Sequence, residues 1–423
     1  MSPSTLIFGA ISALLLHSSA FAANWPAWRG PTGDGIATDT DLPLKWSATE
    51  NVKWKTPLPQ PGNSSPIVWG DRVFVTQTKG DQRLVISFDR QTGKPLWEAG
   101  PSYSAKEPTH PTNTLCSASP TTDGERVYAY FGSAGLHAFD FAGKPLWKVE
   151  LGAVDHAWGY AISPVVHGDL VFQANGAGSD WWLAGFDKKT GKEVWRVKGP
   201  PINAAERTDG FAGKNDGMVG SWSTPVIVST AGREALVMTW PEKLVAYDPA
   251  TGRELWRAAG LNPLLYTSPM PGDGAVIGSG GYGGTTIVAR AASSGDVTDQ
   301  LLWKKPRDKQ RIGSGVIRDG YFYILNTPGT AQCIKLSTGE QLWEERVGSG
   351  GKSQSWSSMV LSGDRIYVLN QNSDTVVLRA SPKFEVLAVN SLGDGLTNSS
   401  HAISGGEIFI RTHQHLWCIG SAR

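Results

Sequence analysis

The sequence predicts an all-β fold: an eight-bladed β-propeller of four-stranded antiparallel blades whose ring is closed by an N-terminal strand. Three observations carry this expectation. A phrase of Asp, two spacers, Thr-Gly, three spacers and Trp returns as Asp89, Thr92-Gly93 and Trp97, as Asp187, Thr190-Gly191 and Trp195, and as Asp248, Thr251-Gly252 and Trp256. Its period of roughly 40 to 60 residues marks an array of stacked units. Upstream of each copy stands Ser/Thr-Pro, an apolar run, a Gly-Asp-type turn and a second apolar run, as in Ser65-Pro66, Gly70-Asp71 and Val73-Phe74-Val75. The Trp also persists where the turn chemistry drifts, at Trp147, Trp303 and Trp343.

Short β-branched and aromatic runs separated by Gly-Asp and Thr-Gly turns read as hairpins, and four runs per period make one propeller blade. In the last hairpin the Asp accepts hydrogen bonds from turn amides and the Gly supplies a positive φ. The Trp opens the outermost strand, with its ring placed to wedge between blades. Trp54, Trp97, Trp147, Trp195, Trp256, Trp303 and Trp343 are therefore expected to be structural. Inner strands start at Ser65-Pro66, Ser119-Pro120, Ser163-Pro164, Thr224-Pro225, Ser268-Pro269, Ser314-Gly315, Ser358-Met359 and Ser400-His401, which sets the blade count. The last blade runs through Ile408-Phe409-Ile410 and Leu416-Trp417-Cys418-Ile419 and lacks an outer strand of its own. Val52-Lys53-Trp54-Lys55, which precedes every repeat, is expected to supply it and so remove the open sheet edges.

Residues 1–23 read as a secretory signal peptide: an apolar run from Leu6 to Leu16 precedes Ala20-Phe21-Ala22, which has the small residues a signal peptidase needs. Residues 24–51 form an N-terminal extension and 52–423 a single propeller domain, expected to be monomeric. No later segment is long and apolar enough to span a bilayer, and no Cys follows the leader's apolar run to carry a lipid, so the chain is expected to be periplasmic or secreted. A formal net charge of +1 gives no electrostatic reason to expect nucleic acid or an anionic membrane as a partner. Cys333 and Cys418 occupy the slot held by Ala138 and Ala246 in other blades and read as small core residues; Cys116, at a blade entrance, is the thiol expected to be accessible.

Residues just before the inner strands ring one mouth of the central channel, where propellers place function. They read Asn63, Cys116, Tyr160, Trp222, Tyr266, Arg311, Trp356 and Asn398. Such a set suits a flat organic ligand, a sugar or a peptide loop, or else plugs a channel that would otherwise be void. For a glycan, Trp222, Tyr266 and Trp356 would be stacking platforms and Arg311 a polar clamp. Two long rim connections, Ala99 to Leu115 and Gly199 to Gly220, are candidate recognition elements. His110 and His156 fall on the rim, the latter beside Asp155, but their spacing matches no zinc or catalytic signature, and no metal site or catalytic residue is expected. His413 and His415 are expected on the surface of the final hairpin. The glycine-dense stretch Gly278 to Gly284, with Tyr282 inside it, lies between strands rather than before a helix and is no phosphate cradle. Nucleophile elbows, P-loops, zinc-protease motifs and Cys-x-x-Cys pairs do not occur.

The repeat Ala/Phe-Asp-x-x-Thr-Gly-x-x-x-Trp, with its Ser-Pro and Gly-Asp elements, resembles the pyrroloquinoline quinone-like propeller repeat over essentially the whole mature chain. Trp25-Pro26-Ala27-Trp28-Arg29-Gly30-Pro31 and Gly220-Ser221-Trp222-Ser223-Thr224-Pro225 look like segments of exported bacterial propellers. The resemblance implies two functional classes. Quinoprotein alcohol and glucose dehydrogenases would imply an enzyme with pyrroloquinoline quinone and calcium, but their adjacent cysteines, long insertions and acidic funnel residues have no counterpart here, so no catalytic residue is carried over. The BamB-like subunit of the outer-membrane β-barrel assembly machinery would imply a non-catalytic scaffold of similar length. The expectation is an exported binding scaffold without a cofactor, recognising a protein or glycan partner of the cell envelope through one face; a quinone-dependent dehydrogenase is the alternative.

Overall fold

Apolar runs broken by tight turns fold back on themselves as antiparallel hairpins, and in the computed structural model eight such sheets stand around one axis. The structure describes residues 23–203, 207–211, 213, 217–230, 232–348 and 354–421. The signal-peptide segment, apart from Ala23, and parts of the Gly199 to Gly220 connection lie outside the described residues. Blade 1 runs inside to outside as Ile67–Trp69, Arg72–Lys79, Gln82–Asp89 and Pro95–Ala99. Its register sets Ile67, Phe74, Ser87 and Trp97 in one row across the sheet. Equivalent rows are Val316, Tyr323, Cys333 and Trp343 in blade 6, and Ala402, Phe409, Cys418 and Trp54 in blade 8. Cys333 and Cys418 are thus buried beside the blade Trp, where only a small side chain fits.

The Trp and Gly of the repeat are partners across blades rather than within one. Trp54 Nε1 donates to the carbonyl of Arg90 at 2.7 Å, Trp97 to Phe141 at 2.9 Å, Trp147 to Lys188 at 3.1 Å and Trp195 to Pro249 at 2.9 Å, each in the following blade's turn. The turn Gly lies flat on that indole: a Cβ on Gly93, whose φ is +70°, would stand 2.5 Å from Trp54. The turn Asp does what the motif implied, since Asp89 Oδ1 accepts from the amides of Gln91 and Thr92 and from Thr92 Oγ1, which holds its pKa below the usual value.

Ring closure joins distant parts of the chain. Val52–Pro57 pairs antiparallel with His415–Ile419 to complete blade 8. Before that, the extension crosses the opposite end of the channel: Trp25 bridges Val68 of blade 1, the buried Arg29 guanidinium donates to the carbonyl of Gly315 in blade 6 at 2.6 Å, and Ile36–Ala37 pairs parallel with Val360–Ser362 of blade 7. Blade 7 carries Ala388 where other outer strands carry Trp. Trp46 of the extension fills that place, stacked on Tyr367 with centroids 6.4 Å apart, as Trp97 packs on Phe74 and Trp343 on Tyr323.

His401 opens the inner strand of blade 8, buried, with Nε2 2.9 Å from Thr375 Oγ1. Burial holds its pKa down, from 6.5 to about 3. The unfolded chain therefore takes up a proton that the fold refuses, so this contribution is complete above pH 6.5 and is lost as pH falls below it. Near pH 5 the loss is about 2 kcal/mol. Urea unfolding at pH 7 and pH 5 should show this slope in the parent protein and a shallower one in His401→Gln.

Candidate functional site

The eight inner strands begin with Ser65, Ser119, Ser163, Thr224, Ser268, Ser314, Ser358 and Ser400, and their hydroxyls close a ring around the channel. The amide of each donates to the hydroxyl oxygen of the next blade's residue at 2.8–3.0 Å, and Ser400 donates back to Ser65. An extended chain alternates its side chains, so the residue two positions before each hydroxyl faces the channel and the one three before faces the blade interface. Counting back two gives Asn63, Ser117, Ala161, Trp222, Tyr266, Ile312, Trp356 and Asn398. All eight line one cavity of about 270 Å³ at the channel mouth, floored by the hydroxyl ring and by Trp28 of the extension.

Five of the ring residues named from sequence therefore converge there: Asn63, Trp222, Tyr266, Trp356 and Asn398. Cys116, Tyr160 and Arg311 do not, because each stands three positions before its hydroxyl. Cys116 is buried, 3.9 Å from the Arg411 guanidinium, and is not the accessible thiol expected. Tyr160 is buried with its hydroxyl on the carbonyl of Leu115. Arg311 is completely buried between blades 5 and 6, donating to Asp308, Ser279 and Thr286 through one nitrogen and to Asn326 and Gln332 through the others. It cannot clamp a ligand in the mouth.

Blades 4 and 5 form an aromatic wall. Trp222 and Tyr266 stack at 5.5 Å with 26° between planes, and Trp158 leans on both, at 5.4 and 6.1 Å. Tyr282 stands edge-on to Tyr266 at 5.4 Å, and Phe211 of the long rim connection packs on Trp158 and Tyr282. None of Trp158, Phe211, Tyr282 and Trp28 was assigned to the mouth from sequence, since they come from loops and the extension, which the repeat does not register. Burial drives the Tyr266 pKa upward, and the neighbouring Tyr282 phenol acts in the same direction.

The facing wall is polar. Asn63 donates to the Thr112 carbonyl at 2.9 Å and accepts from Asn398 and from His413 Nε2 at 3.1 Å. His110 lines the cavity with Nδ1 2.8 Å from Thr112 Oγ1. His156 instead lies behind Trp222, centroids 4.9 Å apart, and burial lowers its pKa. Asp155 turns away from it, accepting from the amide of Ser179 at 3.1 Å and from its hydroxyl. His413 sits in the final hairpin turn as a half-buried wall residue, and His415 at the adjacent strand start pairs with Asp394 at 2.8 Å.

Among the described residues lining the cavity there is no Asp, Glu, Lys or Arg, and no cluster of metal-ligating side chains occurs among the described residues. Calcium takes oxygen ligands that include carboxylates, and a quinone bearing carboxylates asks for cations. This donor set does not fit that pair.

The profile of the family described as outer membrane protein assembly factor BamB matches residues 35–184 and 179–422. The chain belongs to this PQQ-like propeller family. Among BamB proteins, that of Burkholderia pseudomallei is 27% identical over 238 residues, 48% of this chain and 60% of that protein. The 1-butanol dehydrogenase (quinone) of Thauera butanivorans is 26% identical over 340 residues, 74% of this chain and 47% of that enzyme. The chain thus spans about half to three fifths of the length of these curated relatives. Of solved structures, a europium-containing methanol dehydrogenase superposes with a TM-score of 0.70 at 11% identity, covering 94% of this chain and 98% of that one. BamB from Moraxella catarrhalis superposes at 0.60 with 15% identity, covering 88% and 97%. At such identities the structural likeness is one of fold.

Proposed function

We propose that this propeller is an exported, monomeric, non-catalytic scaffold of the periplasm that recognises a protein or glycan partner through the face carrying the aromatic and amide mouth. The observation behind this reading is the composition of the eight channel-facing positions. They hold indole, phenol, aliphatic, amide and hydroxyl groups, with no acid, base or activated nucleophile among them. Its BamB relatives favour a protein partner in the envelope, and no helix among the described residues is long and apolar enough to cross a membrane. A photo-crosslinking amino acid at His110 on the rim should give discrete adducts in envelope preparations, and the same probe at Leu146 on an outer strand should not. Adducts at Leu146 alone would move recognition to the blade sides and end this reading.

The second reading, a quinone-dependent dehydrogenase, draws support from the 1-butanol dehydrogenase relative. The purified protein titrated with pyrroloquinoline quinone and calcium should show neither saturable quenching of Trp fluorescence nor dye-linked oxidation of 1-butanol. Saturable binding with turnover would replace the scaffold reading.

A further inference from the structure

The mouth is two-sided. Blades 4 to 7 contribute Trp222, Tyr266, Ile312 and Trp356, while blades 8, 1 and 2 contribute Asn398, Asn63 and Ser117. The floor is unusual in what it leaves unmet. Each ring hydroxyl already accepts from a neighbouring amide, and among the described residues none accepts its proton; Ser65, Ser119, Ser163, Thr224, Ser358 and Ser400 all line the cavity while being no more than 6% exposed. A buried donor without an acceptor is unfavourable, so an occupant that brings acceptor oxygens is favoured over a hydrocarbon. An acid is disfavoured, because the described lining offers no Lys or Arg and burying an unpaired carboxylate costs far more than burying a neutral hydroxyl. The remaining chemistry is a neutral body with an apolar face for the aromatic wall and several oxygens around its edge. A pyranose ring is such a body, and the cavity's volume lies near the lower end of the ~300–1,000 Å³ of small-ligand pockets.

We infer that the channel mouth is a binding site for a neutral saccharide, with one pyranose ring packed against the Trp222, Tyr266 and Trp356 side and its oxygens accepting from the floor hydroxyls. The inference rests on the scaffold reading and narrows it to a ligand class at one face. The amides of Asn63 and Asn398 complete the recognition, since an amide both donates to and accepts from a sugar hydroxyl.

The test uses the mature protein and four probes: cellotriose, maltotriose, the trimer of N-acetylglucosamine, and a trimer of galacturonic acid as the charged counterpart. Titrations followed by Trp fluorescence and calorimetry should show saturable binding of at least one neutral trimer and none of the uronate. Trp356→Ala should weaken that binding about tenfold or more, and Tyr266→Phe, which deletes only the hydroxyl, about threefold to tenfold. Unfolding midpoints of both variants, compared with the parent, establish that the loss is local. The inference is overturned if no neutral trimer binds up to roughly 10 mM, well above a millimolar dissociation constant. It is also overturned if the uronate binds as well as its neutral counterparts, or if both folded variants keep full affinity. Rim adducts at His110 that persist while every saccharide fails would remove this inference and leave the scaffold reading; loss of both would remove that reading too.

Discussion

Arg311→Ala should lower stability by about 3 kcal/mol or more, the cost of removing one partner from a buried ion pair. The guanidinium is sealed between blades 5 and 6 with Asp308 2.6 Å away; the hydroxyls of Ser279 and Thr286 share the nitrogen that meets Asp308, and the amide oxygens of Asn326 and Gln332 accept from the other two. Without it Asp308, itself almost fully buried, keeps the half-exposed Lys305 at 3.2 Å as its remaining charged partner, beside the Thr286 hydroxyl and the Lys309 amide. Its pKa lies below 3.8 although burial, the largest influence, acts upward; the Arg311 charge is the leading influence downward. A carboxylate with a depressed folded pKa contributes stability above the unfolded value that disappears as pH falls through the folded one. Urea midpoints should therefore separate parent and variant widely at pH 7, and the gap should narrow below pH 4. An equal gap at both pH values would show that packing alone, not charge, holds this interface.

Trp54→Ala should cost about 3–5 kcal/mol, as large-to-small core changes of this size do. The indole is buried, packs on Phe409 at 6.0 Å, donates to the Arg90 carbonyl and covers Gly93 of blade 1. Trp147→Ala removes an equivalent wedge inside the ring. The two variants should lose comparable stability by urea unfolding but differ in assembly. Only Trp54→Ala loosens the strand that closes the ring, so only it should populate strand-exchanged dimers on refolding at high concentration, read by size-exclusion chromatography with light scattering. Dimers of Trp147→Ala in equal amount would show that the seam is no weaker than any other interface.

Much of this architecture was legible because the motif is a contact. The Trp and the turn Gly recur together in sequence since each indole needs a flat, Cβ-free neighbour in the next blade, as Trp54 needs Gly93. Closure was legible from a missing strand at one end and a spare one at the other. The mouth was legible only in part. Asn63, Trp222, Tyr266, Trp356 and Asn398 stand two positions before a ring hydroxyl, but Cys116, Tyr160 and Arg311 stand three before it, and one step along an extended chain exchanges channel for interface. The Ser and Thr of the inner-strand starts served only to count blades, although their spacing is the ruler that would have assigned Ser117, Ala161 and Ile312. Trp158, Phe211, Tyr282 and Trp28 come from segments outside the repeat, and no periodicity marks them. Trp46 was invisible for the same reason, since it substitutes across space for the Trp that blade 7 lacks.

The circle of hydroxyls also bears on how such a molecule changes size over generations. Its bonds all run in one rotational sense, each amide giving to the following blade and each hydroxyl receiving from the preceding one. A whole repeat inserted by gene duplication, or lost by deletion, brings or takes away one giver and one receiver together. The tally of amides and receiving oxygens balances at any number of repeats, and no orphaned amide is left at the centre to penalise the intermediate. A cut inside a repeat enjoys no such protection, so lineages of this fold are expected to gain and lose blades as complete units.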